Sequence, residues 1–127
     1  MPQFDRSQVQ NLKDYLYHSA IHDAKIKTFK YDREQRILTI EAANLIDSVS
    51  LCMIFKEIKV VLSINSNQLG CRETIISLTA EDDFSHLQNY AQICGDGFDN
   101  SLYLLFQMFS GDELHIISEK VFIEKIG

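Results

Sequence analysis

Apolar residues near the start of the chain recur at the spacing of an α-helix. Three of them stand three or four residues apart, so a helix would place them on one face; they are Val9, Leu12 and Leu16. Asp5 is a suitable N-cap, and Gln8 follows it at the spacing of a capping box. We therefore predict a helix that begins after Asp5 and ends between His18 and Ala20.

From Lys25 onward the apolar period changes to two, which is typical of strands with one buried face. Lys56 and Glu57 interrupt one long alternating segment, and a β-bulge or a short turn at that point would reset the register. The pattern predicts about six or seven strands. Their bounds are Ile26–Tyr31, Ile37–Ala42, Val49–Phe55 with its continuation Ile58–Ile64, Thr74–Thr79, Leu102–Phe109, Leu114–Ile117 and Val121–Ile126.

A second, shorter helix is predicted to follow the strand that ends at Thr79. The consecutive acids Glu81, Asp82 and Asp83 suit a helix N-terminus, because negative charge there is stabilised by the helix dipole. Four apolar residues would then share one side of this helix: Phe84, Leu87, Tyr90 and Ala91.

These elements predict a single α+β domain spanning residues 1–127, in which the N-terminal helix packs on a mostly antiparallel sheet. The connections are mostly of hairpin length, whereas a parallel crossover needs about a dozen residues or more. The strand Leu102–Phe109 is apolar on both faces. We expect the N-terminal helix to cover one face, with a second copy of the chain in a homodimer as the alternative.

Composition indicates an ordinary globular domain. Hydrophobic residues make up 46% of the 127 residues and charged residues 24%. No apolar run approaches the roughly 20 residues that span a bilayer, and the first residues lack the apolar core of a signal peptide. Cys52, Cys71 and Cys94 are odd in number and lack the spacing of metal ligands. We expect reduced thiols, a cytoplasmic location and no membrane association.

Charge is distributed unevenly along the chain. Residues 1–40 carry a net charge of +2 and residues 41–127 one of −8, and no lysine or arginine lies between Glu73 and Glu119. The pI of about 5.1 argues against nucleic-acid binding and favours a basic protein partner. The candidate contacts are the acidic residues Glu81, Asp82, Asp83, Asp96, Asp99, Asp112 and Glu113.

His18, His22 and Asp23 are the residues of an alternative interpretation, a small metal-dependent or hydrolytic enzyme. Histidines four residues apart on a helix share a face and can bind zinc. Ser19 occupies the position where a zinc protease carries a glutamate, and the helix is expected to end before His22. The chain also lacks a glycine-rich phosphate loop and a nucleophile elbow. The sequence therefore predicts a non-enzymatic protein without a cofactor.

Two segments resemble small bacterial domains of unknown function, some of them linked to polymorphic-toxin immunity. The first runs from the His-Asp pair of His18–Ile26 through the alternating hairpin that contains Phe29–Asp32 and Ile37–Ile40, and the second is Glu113–Val121. The resemblance covers roughly residues 18–64 and 101–126. It implies a non-enzymatic bacterial protein that binds a partner, and it supplies no catalytic residues.

Overall fold

The computed structural model describes residues 3–64, 74–87 and 97–126. Within these ranges the chain forms one α-helix and seven strands. In chain order they are β1 (Gln3–Phe4), α1 (Val9–Tyr17), β2 (Lys25–Asp32), β3 (Ile37–Asn44), β4 (Val49–Ile64), β5 (Ile75–Glu81), β6 (Leu102–Met108) and β7 (Glu113–Lys125). The prediction of an α+β fold with an antiparallel sheet is confirmed.

The N-terminal helix lies close to its predicted position, although the α-helix itself spans only Val9–Tyr17 and residues 6–8 form a 3-10 turn before it. The Asp5 carboxylate accepts a hydrogen bond from the Ser7 amide at 2.9 Å, and the Gln8 side chain accepts one from the Asp5 amide at 3.3 Å. This capping box opens a 3-10 turn that runs directly into α1, and His18 is the C-cap. Leu12 and Leu16 are buried, so α1 packs its apolar face on the sheet.

All strand pairs in the sheet are antiparallel, in the order β2-β3-β4-β7-β6-β5. β1 pairs with the part of β7 that extends beyond β6. The first residues of β2 curl round to meet the start of β5, where Lys25 bridges Thr74 and the Ile75 amide donates to the Ala24 carbonyl at 2.9 Å. The sheet is therefore a strongly curved, partly closed barrel with an inner and an outer face.

Two strands are longer than the sequence indicates. The predicted irregularity near Lys56-Glu57 is confirmed: β4 runs unbroken through a register shift between Ile58 and Val60, and Glu57 has a φ of 54°. The prediction of two separate final strands is wrong, because β7 continues from Glu113 to Lys125 beside β4. The apolar alternation of β7 shifts beside the irregularity in β4. In the sequence, such a shift looks like the end of one strand and the start of another.

Both faces of the sheet bury apolar residues. The inner core contains Phe55, Phe106, Leu104 and Ile116, all fully buried, and α1 covers its open side. The outer cluster contains Val60, Leu87, Phe98, Tyr103 and Ile117. Leu87 and Phe98 come from the segment between β5 and β6, so the same chain covers this part of the outer face.

The predicted second helix is not seen among the described residues. Glu81 is the last residue of β5 instead of a helix start, and only Ser85–Leu87 form a single 3-10 turn. The Asp83 carboxylate accepts a hydrogen bond from the Ser85 amide at 2.9 Å, which explains the turn. Tyr90 and Ala91 lie outside the described residues. Over the part of the chain described, no helix is long and apolar enough to cross a membrane.

Phe106 provides a test of the inner core. Its ring packs against that of Phe55 at 6.4 Å between centroids, and neither side chain is exposed. We expect Phe106→Ala to lower the free energy of unfolding by about 3–5 kcal/mol, because it leaves a cavity. Phe29→Ala on β2, where the side chain is 48% exposed, is the control, with about 0.5 kcal/mol expected. Equal losses in urea denaturation would contradict this core assignment.

Candidate functional site

A cleft of about 460 Å³ opens on the outer face of the sheet beside the outer cluster, and we call it the outer-face cleft. Its lining residues are Ile64, Glu81, Asp83, Tyr103, Leu105, Glu113 and His115. Strand register brings them together from four parts of the chain. Glu81 lies opposite Tyr103, and His115 lies between Leu105 on β6 and Leu62 on β4. Side chains two apart on a strand share a face, so Glu113 joins His115.

A hydrogen bond between Tyr103 and His115 forms the floor of the cleft. The Tyr103 hydroxyl lies 2.5 Å from His115 Nδ1, and both residues are buried. A neutral imidazole has one N–H donor and one acceptor nitrogen. If Tyr103 donates to Nδ1, then Nε2 carries the hydrogen. If Nδ1–H donates to Tyr103, then Nε2 is an acceptor.

His115 Nε2 forms no hydrogen bond among the described residues, although its side chain is only 9% exposed. Glu113 Oε1 lies 3.5 Å from it, which is ion-pair distance when the imidazole is protonated but does not make a hydrogen bond. Buried polar atoms are rarely left without a partner. This nitrogen is therefore the most unusual polar atom in the cleft.

The cleft is strongly negative. Burial raises the pKa of the Tyr103 hydroxyl above its ordinary value of 10.0, and the nearby carboxylates of Glu81, Glu113 and Asp83 raise it further. The phenol thus stays protonated at neutral pH and is a poor nucleophile. The contribution of the three carboxylates to this shift would also favour a nearby cation, whereas burial, the larger cause, disfavours a charge of either sign.

Three of the seven predicted contact residues therefore line one cleft: Glu81, Asp83 and Glu113. Asp82 and Asp99 line a neighbouring depression that shares Asp83 with the cleft. Asp82 is paired with the Lys13 ammonium group at 2.5 Å. Asp112 is buried in the turn between β6 and β7, which removes it from the accessible surface. Asp96 lies outside the described residues.

The acidic half of the chain receives cations from other parts of the sequence. Besides Lys13, the Arg6 guanidinium lies 5.3 Å from the Phe84 ring centre and donates to the Ser101 carbonyl at 3.1 Å. Lys59 donates to the Gly97 carbonyl at 3.0 Å. These contacts hold the described residues between β5 and β6, 82–87 and 97–101, on the outer face, and we call them the covering segment. Sequence order alone could not show them.

The structure does not bring His18, His22 and Asp23 together at one site. His18 is the exposed C-cap of α1 and lines a cavity with Asp14 and Lys125, whereas His22 lines a different cleft. The His22 ring nitrogen Nδ1 lies 2.5 Å from the Ile76 carbonyl oxygen. Asp23 has a φ of 66° and donates its amide hydrogen to the Ile75 carbonyl. The described residues contain no cluster of metal-binding side chains.

Cys52 is a free thiol on the outer side of β4, between Glu41 and Glu124 in the register. Burial raises the pKa of the Cys52 thiol, and the charges of these two carboxylates raise it further. A thiol that stays protonated at neutral pH is a weak nucleophile. Cys71 and Cys94 lie outside the described residues.

Sequence reasoning did not identify Tyr103 or His115 as site residues. The available signal was strand alternation: both residues lie on the face opposite Leu104 and Ile116, which belong to the inner core. A polar residue at such a position, on a strand whose two faces are buried, is a reason to look for a partner. The partner in this case comes from the adjacent strand, beyond the reach of local patterns.

Glu57 and Glu119 form a second unusual pair, where β4 and β7 change alternation. The pKa of Glu119 is raised above the ordinary value of 4.5, first by a hydrogen bond with Glu57 and then by burial and the Glu57 charge. Arg36 and Lys59 oppose the shift. The folded state therefore holds the Glu119 proton more strongly than the unfolded state does.

We expect Glu119→Gln to change how stability depends on pH. Because the folded-state pKa is raised, its stabilising contribution is present below pH 4.5 and is lost as pH rises through the folded-state value. The variant should match the wild type near pH 4 and melt at a higher temperature at pH 7, since an amide carries no charge beside Glu57. Calorimetry at both pH values measures this difference. Glu124→Gln on the same strand is the control, and an identical pH profile for both variants would refute the coupling.

Tyr103→Phe tests the floor of the cleft. The substitution leaves a buried His115 nitrogen without its partner, which should lower the free energy of unfolding by about 1–3 kcal/mol. The matched control is Tyr17→Phe, where the side chain is 79% exposed and a change within about 0.5 kcal/mol is expected. Guanidinium denaturation of both variants gives the comparison. Indistinguishable stabilities would mean that the Tyr103–His115 hydrogen bond is absent in solution.

Neither the comparison with protein-family models nor that with curated proteins gives a match to this chain. What the chain does must therefore follow from the chemistry of its own residues.

Proposed function

We propose that the chain is a non-enzymatic, cytoplasmic bacterial interaction domain that binds a basic protein partner through the outer-face cleft. One observation carries the proposal: Glu81, Asp83 and Glu113, distant in sequence, surround one half-apolar cleft. Their combined effect on the Tyr103 pKa indicates that the three charges act at the same place.

The electrostatic setting favours a cation supplied by another molecule. Lys13 already offsets the charge of Asp82, and Arg6 and Lys59 are engaged with backbone carbonyls of the covering segment. Charges beside buried, apolar surface are less screened by water than charges on an open surface. A basic partner would be steered towards this face, and its association would weaken with salt.

The resemblance to immunity-like bacterial domains supports the same role. A protein of that kind acts by covering a surface of its partner, which requires a rigid, complementary face and no chemistry of its own. The outer-face cleft lies on the sheet instead of on a loop, and its floor is a buried hydrogen bond. Such a framework keeps the carboxylates in place before the partner arrives, which lowers the entropic cost of binding.

A short peptide rich in lysine and arginine is the probe for this proposal. We expect the protein to bind this peptide with an affinity that falls as the salt concentration rises. A peptide with glutamate at the basic positions should not bind. Combining Glu81→Gln, Asp83→Asn and Glu113→Gln should weaken binding by about tenfold, if each ion pair contributes within the usual surface range. Isothermal titration calorimetry measures both affinities.

The matched control combines Glu34→Gln, Glu41→Gln and Glu124→Gln. These exposed carboxylates lie away from the cleft, and the control removes the same number of negative charges. It should retain most of the affinity for the basic peptide. An equal loss in both triple variants would show that only net charge matters, and the cleft would then have no special role.

A further inference from the structure

We infer that two copies of this chain associate through the end of the molecule at which β3 turns into β4, with the turn of each copy seated in a cavity of the other. The turn comprises residues 45–48, and we call it the β3–β4 turn. This contact does not depend on the basic partner, because it uses a surface separate from the outer-face cleft.

The β3–β4 turn exposes two adjacent aliphatic side chains. Leu45 is 78% exposed and Ile46 is 80% exposed, more than any other aliphatic residue described. Turn positions are usually occupied by glycine, proline, asparagine, aspartate or serine. A pair of neighbouring apolar side chains that protrudes into water is therefore a candidate contact for another molecule.

The side chain of Asn44 holds the turn in one conformation. Asn44 is buried, and its Nδ2 donates hydrogen bonds to the carbonyl oxygens of Ala20 and His22 at 3.1 and 2.9 Å. Its Oδ1 accepts hydrogen bonds from the amides of Ile46 and Asp47 at 2.9 and 3.1 Å. A turn that is fixed before association loses less conformational freedom when a partner covers it.

A cavity of about 500 Å³ opens beside the turn, and we call it the α1–β4 cavity. Five of its lining residues are apolar: Phe4, Tyr15, Ala20, Val49 and Leu51. Two of them connect it to the turn, since Val49 follows residue 48 directly and Ala20 is hydrogen-bonded to Asn44. Phe4 and Leu51 also belong to the inner core, so the cavity is an open extension of that core. Its volume is in the range of cavities that enclose whole ligands, and two aliphatic side chains need less space.

A protruding turn beside an apolar cavity is self-complementary. In a dimer with two-fold symmetry the same patch of each copy faces the other, so both turns enter cavities at once. The charges agree with this arrangement. Asp47 is exposed in the turn and Lys125 is exposed at the cavity, and the symmetry brings Asp47 towards the partner's Lys125. The carboxylate of Asp14, also at the cavity, accepts a hydrogen bond from Gln10 at 3.4 Å. Two such contacts make a small interface, so we expect a weak and reversible dimer.

Sedimentation velocity from micromolar to millimolar protein concentrations tests the association. We expect the wild type to change from monomer to dimer as concentration rises. Combining Leu45→Asp and Ile46→Asp should raise the dissociation constant by more than about tenfold, because charged side chains would enter the apolar cavity. A wild type that stays monomeric throughout would overturn the inference.

The matched control combines Ile64→Asp and Phe109→Asp. These side chains are 46% and 51% exposed, and they lie at the end of the β4–β7 pair opposite to Leu51 and Lys125. The control adds the same two negative charges and should dimerise like the wild type. Equal weakening in both double variants would mean that net charge alone governs association, which would also overturn the inference.

NMR on a mixture of isotope-labelled and unlabelled protein locates the contact. We expect intermolecular nuclear Overhauser effects between the methyl groups of Leu45 and Ile46 in one copy and those of Val49 and Leu51 in the other. A dimer whose intermolecular effects involve other residues would contradict the seating of the turn.

A charge exchange tests the two-fold arrangement independently. Lys125→Glu and Asp47→Lys should each weaken the dimer several-fold, whereas the variant with both changes should recover affinity, because opposite charges again face each other. Failure of the combined variant to recover would count against this arrangement. Thermal unfolding of every variant, measured in parallel, separates a lost contact from a lost fold.

Co-sedimentation with vesicles of phosphatidylcholine and phosphatidylglycerol examines a different occupant of the exposed turn. We expect no binding, since the two aliphatic side chains are covered by a second copy. A protein that stays monomeric and binds the vesicles, and loses this binding when Leu45→Asp and Ile46→Asp are combined, would replace the second copy with a lipid surface.

Discussion

The pairing of β4 with β7 is the constraint on which the rest of the structure depends. It joins two three-stranded meanders, β2-β3-β4 and β5-β6-β7, into one sheet. Its register places Val60 opposite Ile117 and Leu62 opposite His115 on the outer face. A slip of one residue would turn His115 towards the inner core and Ile116 towards solvent, because side chains alternate along a strand. The outer-face cleft therefore exists only in this register.

The irregularity at Glu57 and Glu119 makes that register compatible with two buried faces. On β4, Phe55 and Ile58 both belong to the inner core although they are three residues apart, and on β7 the same holds for Ile116 and Val121, which are five apart. A regular strand would place the members of each pair on opposite faces. Like charges facing each other across two strands are normally unfavourable, and sharing a proton is one way to reduce that cost. The raised pKa of Glu119 reflects this local conflict.

Much of the fold follows from local patterns, whereas the candidate site does not. The capping box of α1, the hairpin of β2 and β3 and the irregularity in β4 are local features, and each was predicted from short segments. The predicted second helix is not seen among the described residues, because Phe84, Leu87 and Phe98 pack on the outer face instead, and this tertiary contact outweighs helical periodicity. Likewise, the acids could be named individually, but their convergence depends on pairing between β5, β6 and β7.

Folding also changes what the uneven charge of the sequence means. The basic N-terminal part supplies Lys13 to Asp82 and Arg6 to the covering segment, so part of the apparent surplus is balanced within the chain. The carboxylates that bear on the candidate site are the three around Tyr103, which are Glu81, Asp83 and Glu113. Three carboxylates beside a protonated phenol and a buried imidazole make nucleophilic attack by Tyr103 unfavourable. The same arrangement lowers the free energy of a bound cation, since the negative charge is already assembled on rigid strands. The position of these charges depends on the β6–β7 register, which also brings Tyr103 and His115 into the hydrogen bond beneath them.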